Sequence, residues 1–269
     1  MKLLLLLLFW PLTLVSFLVK PILLRTISLQ RLEEFRQLEG RIIYHGNRQS
    51  SKIALTFDAD MTYGMKQKLS SGEVKSYYNK PIIDILEKEN VPATIFITGL
   101  WAQTYPEITK ALAANPLFEI GNHSYSHKSF TWRCYNLPIA VSQKEKEEEF
   151  AKSQEALKSI LDYQPVLFRF PGGCSCSRDI ETAKKYGLAV IGWNVDSLDA
   201  FNKNREQIIK AVKKQTQNGS IIVMHLNGDR NAPATADALP EIIKYLKEKG
   251  YQFVKVSEIL KDIEIYPQP

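Results

Sequence analysis

The sequence has no long basic tract, no internal repeat and, after its N-terminal leucines, no low-complexity segment. Its 35 Lys and Arg against 29 Asp and Glu leave a net charge of +6, but the basic residues are dispersed along the chain. Without a recognisable binding motif such a balance argues against a nucleic-acid partner, and fits a soluble surface or a mild preference for an anionic wall or membrane. Hydrophobic content of 45% and charged content of 24% exclude a largely disordered chain. Cysteine is rare and odd in number, at three, so a single disulfide would leave one thiol free. Histidine is nearly as rare: of four in the chain, two stand four residues apart in His123-Ser124-Tyr125-Ser126-His127. On a helix that spacing puts both imidazoles on one face, within reach of one cation.

An apolar run over residues 3–19, preceded by Lys2 and followed by Lys20 and Arg25, marks residues 1–24 as an N-terminal membrane anchor or signal segment. No small-x-small cleavage pattern follows it, which favours an uncleaved anchor and an exported, membrane-anchored protein facing the extracytoplasmic side over a secreted one. Residues 25–51 are charged and polar with Leu29, Leu32, Phe35 and Leu38 three apart, and are expected to form an amphipathic spacer. From residue 52 a strand-then-helix rhythm sets in. Apolar, β-rich runs lie at 53–57, 93–97, 117–120, 166–170, 188–193, 220–224 and 251–254, separated by helical patterns at 81–89, 106–114, 142–161, 178–186, 205–217, 236–249 and 256–263. Seven βα units in succession predict an α/β fold, a barrel of parallel strands wrapped by helices, over a single domain at 52–269. The charged run at 143–150 is expected to be the solvated face of its helix.

In such barrels catalytic groups gather at the carboxyl ends of the strands. The unusual polar residues fall there: Asp58 and Asp60 after the first strand, His123 and His127 after the third, Arg169 after the fourth, Asp196 and Asp199 after the fifth, and His225 after the sixth. Two histidines and one carboxylate make a site with open positions, suited to zinc and to other divalent metals. A second carboxylate near bound water would take its proton, and His225, held by Asp199 or Asp196, would protonate a leaving amine. That chemistry is metal-assisted hydrolysis of an amide or ester.

With these residues in place the chain resembles the polysaccharide deacetylases of the NodB-homology type, carbohydrate esterase family four, from about residue 52 to residue 263. The motifs that carry the resemblance are Thr56-Phe57-Asp58-Ala59-Asp60, His123-Ser124-Tyr125-Ser126-His127, Arg169-Phe170-Pro171-Gly172-Gly173, Asp196-Ser197-Leu198-Asp199 and Val223-Met224-His225. The resemblance implies a distorted (β/α)7 barrel, a divalent metal that is usually zinc and sometimes cobalt or nickel, and removal of acetyl groups from an N-acetylated polysaccharide such as peptidoglycan or a chitin-like glycan. It implies Asp58 as the base, His123 and His127 as metal ligands, Arg169 as the group that orients the base, His225 as the acid with Asp199 as its partner, and the Gly172 backbone N–H as an oxyanion donor. The family's first motif usually carries two adjacent aspartates, the second a metal ligand. Here that place is Ala59, and Asp60 is the natural substitute. Gly172 also stands where the family has an aromatic residue, and Ala200 where it has a tryptophan; both changes should widen the acyl and sugar pocket.

Cys134 is expected to pair with Cys174 or Cys176. Trp101, Trp132 and Trp193 are aromatic residues that could stack on sugar rings, Trp132 being the preferred subsite residue because it follows closely on His127. Two other functions fit the departures. Asp58-Ala59-Asp60 and the anchor suit an N-deformylase or deacetylase of a lipid-linked or small amide, and Ala59, Gly172 and Ala200 suit a catalytically weak carbohydrate-binding protein.

Overall fold

The structure, a computed structural model, describes residues 40–263. The expected anchor at 1–24 and most of the expected spacer lie outside the described residues. Among the described residues no helix is long and apolar enough to cross a membrane.

In chain order the strands are β1 (Ile42–Ile43), β2 (Lys52–Ala59), β3 (Ala93–Ile97), β4 (Phe118–Asn122), β5 (Leu167–Phe168), β6 (Ala189–Ile191), β7 (Val195–Asp196), β8 (Ile221–His225) and β9 (Gln252–Phe253). Between them run α1 (Tyr63–Ser70), α2 (Lys80–Lys88), α3 (Gly99–Thr104), α4 (Pro106–Ala114), α5 (Gln143–Leu161), α6 (Ser177–Lys185), α7 (Arg205–Gln215), α8 (Thr235–Glu248) and α9 (Val256–Lys261). The hydrogen-bonded order is β1-β6-β5-β4-β3-β2-β8-β7, with β9 off this path beside the start of β2. Every pairing between named strands is parallel. The path runs from β1 at one end to β7 at the other, and residues 192–194 carry the chain from β6, the neighbour of β1, to β7. This is the expected distorted parallel barrel.

Helices on the outside explain why the central strands read as near-continuous apolar runs: seven of the eight residues of β2, and all five of β3 and of β4, are buried. The local signals behind the helices are ordinary ones. Pro81 and Pro106 sit in the first turns of α2 and α4. Ser142 and Glu145 cap α5 reciprocally, and Asp162 ends it in the left-handed conformation.

The differences from the sequence reading have physical causes. Part of the expected spacer belongs to the sheet: Ile42 and Ile43 pair with Val190 and Ile191. Strand β1 is two residues long, too short to show an alternation. The expected strand at 188–193 ends at Ile191 and resumes as β7. Helix α1 buries no residue and so carries no apolar periodicity, while α3, six residues long, is too short to show one. One further feature positions the site. Phe130, Phe150, Phe168 and Phe170 form a buried aromatic cluster, with ring centroids 4.7–6.4 Å apart, that fixes the chain after His127 to α5 and β5.

Candidate active site

Strand β2 and the residue that follows it carry the first group of site residues by simple alternation. Side chains two apart on an extended chain share a face, so Thr56, Asp58 and Asp60 project together while Ala59 turns into the apolar core. The displaced second aspartate therefore reaches the same space as the first. Its backbone is held there by Asn227, whose side-chain Oδ1 accepts from Asp60 N–H at 2.9 Å and whose Nδ2 donates to Asp60 O at 2.9 Å. Arg169, which follows β5 and is fully buried, donates from Nη1 to Asp58 Oδ1 at 2.7 Å and to Thr56 Oγ1 at 2.8 Å. Its Nη2 donates to Gly192 O at 3.2 Å, and its guanidinium lies over the Phe96 ring, 4.1 Å from the centroid. These contacts leave one orientation for the guanidinium, and through it for the Asp58 carboxylate.

The histidine pair is not helical. After β4 the chain turns with Ser124 at φ 66° and His127 at φ 56°. Asn122 Oδ1 accepts from Ser124 N–H at 2.9 Å. The carboxylate of Glu149, on α5, accepts from Tyr125 N–H at 3.0 Å, Ser126 N–H at 2.8 Å and Ser126 Oγ–H at 2.5 Å. A buried carboxylate thus wraps the His123–His127 loop into the geometry that a helix turn was expected to supply. Glu149 belongs to the run expected to be a solvated face, yet it is 5% exposed. Its acidic neighbours Glu147 and Glu148 hid it in the sequence.

His123 Nε2 and His127 Nε2 each lie 3.4 Å from Asp60 Oδ1. The three potential donor atoms of Asp60, His123 and His127 fall within 4.8 Å of one another. His123 Nδ1 lies 2.8 Å from Arg169 O, a pure acceptor, so this nitrogen carries the proton and Nε2 presents its lone pair to the cluster. Asp60 Oδ1 is buried and has no hydrogen-bond partner. A buried carboxylate oxygen without a donor is costly, and two imidazole nitrogens facing it are donors of the kind a divalent cation takes. The residues present therefore fit a metal.

On the opposite side β8 ends at His225, whose Nδ1 is 2.7 Å from Asp199 Oδ1. Asp199 is 1% exposed and also accepts from His225 N–H at 2.8 Å, Thr235 Oγ1–H at 2.7 Å and Ser197 Oγ–H at 3.0 Å. Asp196 instead caps the turn, accepting from Leu198 N–H at 2.8 Å, which settles Asp199 as the partner of His225. His225 Nε2 points inward, 3.9 Å from Asp60 Oδ2. Glu149, Asn227 and Thr235 are site residues that sequence reasoning missed, and it gave no role to Thr56 and Ser197 of the quoted motifs; Thr56 and Asn227 each lie two residues from a recognised one, on the same strand face or its extension.

The electrostatics follow this geometry. Burial would raise the Asp60 carboxyl, but the surrounding imidazoles of His127, His123 and His225 outweigh it and hold the group well below the usual carboxylate range. Burial pushes the His127 imidazole down to about 4 against the pull of Asp60, keeping it neutral, as a metal ligand must be. His123 is raised, because Asp58 and Asp60 overcome its burial, so a cation at Nε2 would take the place of a proton that these carboxylates favour. His225 is pushed up to about 10: burial opposes its charge, and Asp199 more than offsets this.

The loop after β5 brings Gly172 to the rim in the left-handed conformation, φ 62°. A Cβ there would stand 2.6 Å from Cys134 Sγ, so glycine is required on both counts. Cys134 is bonded to Cys174, and Cys176 is free and exposed. Of the tryptophans, Trp101 is fully buried, its indole N–H donating to Tyr77 O at 3.0 Å, and is a core residue with no face for a sugar. Trp193 packs beside Arg169 and against Gly173. Trp132 is 76% exposed on the loop tied down by Cys134.

Residues 45–191 match the family described as polysaccharide deacetylase. The chain is 31% identical to a peptidoglycan-N-acetylglucosamine deacetylase of Bacillus cereus, over 68% of this chain and 82% of the relative. It is 25% identical to the peptidoglycan-N-acetylmuramic acid deacetylase PdaA of Bacillus subtilis, over 90% of this chain and 85% of the relative. Among solved structures it superposes on a carbohydrate esterase family four pseudoenzyme of Bacillus anthracis with a TM-score of 0.68 at 24% identity, covering 84% of this chain and 70% of the other, a likeness of fold alone.

Proposed function

The chain belongs to the polysaccharide deacetylase family, and on that premise we propose that it hydrolyses the N-acetyl amide of amino sugars in peptidoglycan or a related N-acetylglucosamine polymer. The observation that carries this reading is the convergence of Asp58, Asp60, His123, His127 and His225 at one end of the barrel, with a buried Asp60 oxygen that lacks a partner. Asp60, His123 and His127 would hold a divalent cation, zinc by its donor set with cobalt or nickel as alternatives, which when bound supplies positive charge to acidify water and polarise the acyl oxygen.

The protein groups have distinct tasks. Asp58 Oδ1 is engaged by Arg169, which leaves Oδ2, 3.6 Å from His123 Nε2, facing the cluster. There it takes a proton from water as the water oxygen attacks the acetyl carbon. The Gly172 N–H is the donor that stabilises the oxyanion so formed. His225 then gives its Nε2 proton to the amide nitrogen as the C–N bond breaks, and Asp199 holds the imidazole in the orientation and charge state that this step needs. The products are acetate and the free amine. The complete set of proton-transferring groups favours turnover over glycan binding alone.

We also assign the domain to the extracytoplasmic side. The apolar run at 3–19 supports this, as does the Cys134–Cys174 disulfide, which suits an oxidising compartment. The full chain, solubilised in detergent and supplied with zinc, is expected to release acetate from N-acetylglucosamine oligomers and from peptidoglycan, to lose this with chelator and to regain it with zinc. No acetate from either substrate with metal bound overturns the reading, and release of formate from a formamido-sugar lipid in its place identifies a deformylase.

A further inference from the structure

Around the site the loop at 129–140 combines strain, restraint and exposure. Arg133, Tyr135 and Asn136 have φ of 63°, 49° and 56°, left-handed values that bulky side chains rarely adopt. The base of the loop is closed by Ser129 N–H donating to Pro138 O at 2.7 Å and Ala140 N–H donating to Ser129 O at 3.0 Å. Phe130 anchors it in the aromatic cluster, 5.2 Å from the Phe150 ring and 5.0 Å from the Phe170 ring. Its tip is tied to the chain after Gly172 by Cys134–Cys174.

All of these restraints act on the segment that presents Tyr135. Its side chain is 75% exposed, so folding gains little from it, yet its ring edge Cδ2 would lie 3.1 Å from a Cβ at Gly172. Gly172 has no side chain of its own, and the ring of Tyr135 is the aromatic group that flanks its backbone. An exposed ring carried by a restrained backbone beside a bare backbone amide is suited to a ligand that has both an apolar face and polar edges. A pyranose has this character: its C–H face stacks on an aromatic ring, and its hydroxyls can reach the phenol. Preorganisation lowers the ordering cost of such a contact.

We propose that Tyr135 is a substrate-contacting, specificity-determining residue whose ring packs on a pyranose bound beside Gly172, on a platform held by Phe130 and the Cys134–Cys174 disulfide. The identity of the ligand as a sugar rests on the deacetylase reading above; the placement of the ring does not.

The test measures binding of N-acetylglucosamine tetramer to the zinc-loaded full chain by calorimetry, and acetate release from the same tetramer. Tyr135→Ala is expected to weaken binding and raise KM about tenfold with kcat nearly unchanged, and Tyr135→Phe to stay within about twofold of wild type. Zinc stoichiometry and melting temperature are expected to be unchanged in both. Wild-type binding by Tyr135→Ala overturns the proposal, as does a Tyr135→Ala loss that appears in kcat or zinc content. If wild type binds the tetramer but releases no acetate, the deacetylase reading fails while a binding loss in Tyr135→Ala still upholds the ring's role. If wild type releases acetate and Tyr135→Ala does so equally well, the proposal fails and the function stands. If wild type binds no tetramer, the proposal falls.

Discussion

Asp58 and His225 stand at the ends of β2 and β8, and Arg169 directly follows β5, whereas His123, His127, Gly172 and Tyr135 are carried by loops. The strand-held groups are placed by the ladder itself: Asp58 pairs in register with His225 across β2 and β8, and a buried guanidinium fills the space beside them. The loop-held groups depend on borrowed support, namely Glu149 for the histidine pair and the Cys134–Cys174 disulfide for the rim. In this reading proton transfer is assigned to the strand-held half, and the two histidine ligands and the substrate contact to the loop-held half. Chemistry tolerates little displacement, while a rim on loops can vary with substrate.

Disrupting each half should give different losses. The largest effect is expected from His127→Ala or from chelation, either of which should abolish acetate release, with metal analysis showing the ion gone. Asp58→Asn comes next, lowering kcat by about 10²–10⁴ while zinc stoichiometry stays at the wild-type value; loss of zinc in this variant would make Asp58 a ligand instead of a base.

Asp199→Asn should move the basic limb of the kcat/KM pH profile. The imidazolium of His225 is held charged up to about 10 by Asp199, so the acid is lost only as pH rises through that range. Without the carboxylate the folded value falls toward the ordinary one of about 6.5, and the limb shifts to lower pH. An unshifted limb would remove His225 from the proton-transfer step.

Smaller effects are expected where support is indirect. Glu149→Gln should weaken zinc binding about 10–100-fold, measured by competition with a chromogenic chelator, because it loosens the backbone of the ligand loop without touching the ion. The double variant Cys134→Ser, Cys174→Ser should cost about 2–4 kcal/mol in denaturant unfolding, with zinc affinity retained. A large loss of zinc in that variant would show that rim and metal loop are not separable.

The strand-held half was legible in sequence and the loop-held half only in part. Parallel strands announce themselves as apolar runs, and the polar residue that ends each run is conspicuous, so the positions of Asp58, Arg169 and His225 follow from the pattern of the chain. Asp60 was legible as a substitute ligand, and the alternation of β2, with Ala59 turned into the core, gives the reason it reaches the histidines. The geometry of His123 and His127 was not legible, since four-residue spacing fits a helix turn equally well and the actual loop is specified by a buried carboxylate more than twenty residues away. Glu149 reads as one acidic residue in a charged helix; only its position beside Phe150, on the inward side, distinguishes it. The same is true of Tyr135. Exposed aromatic residues in a loop look alike in sequence, and it is the disulfide partner, Cys174 and not Cys176, that determines which ring meets Gly172.

The central claim is that Asp60, displaced by one residue, completes a metal site with His123 and His127. A crystal of the zinc-loaded protein, with the ion located by anomalous scattering at the zinc edge, tests it most directly. The account predicts one ion within about 2.0–2.2 Å of an Asp60 carboxylate oxygen and of both Nε2 atoms, with Asp58 outside coordination distance. An ion held by Asp58 with Asp60 turned away, or no ion between the two histidines, would contradict it.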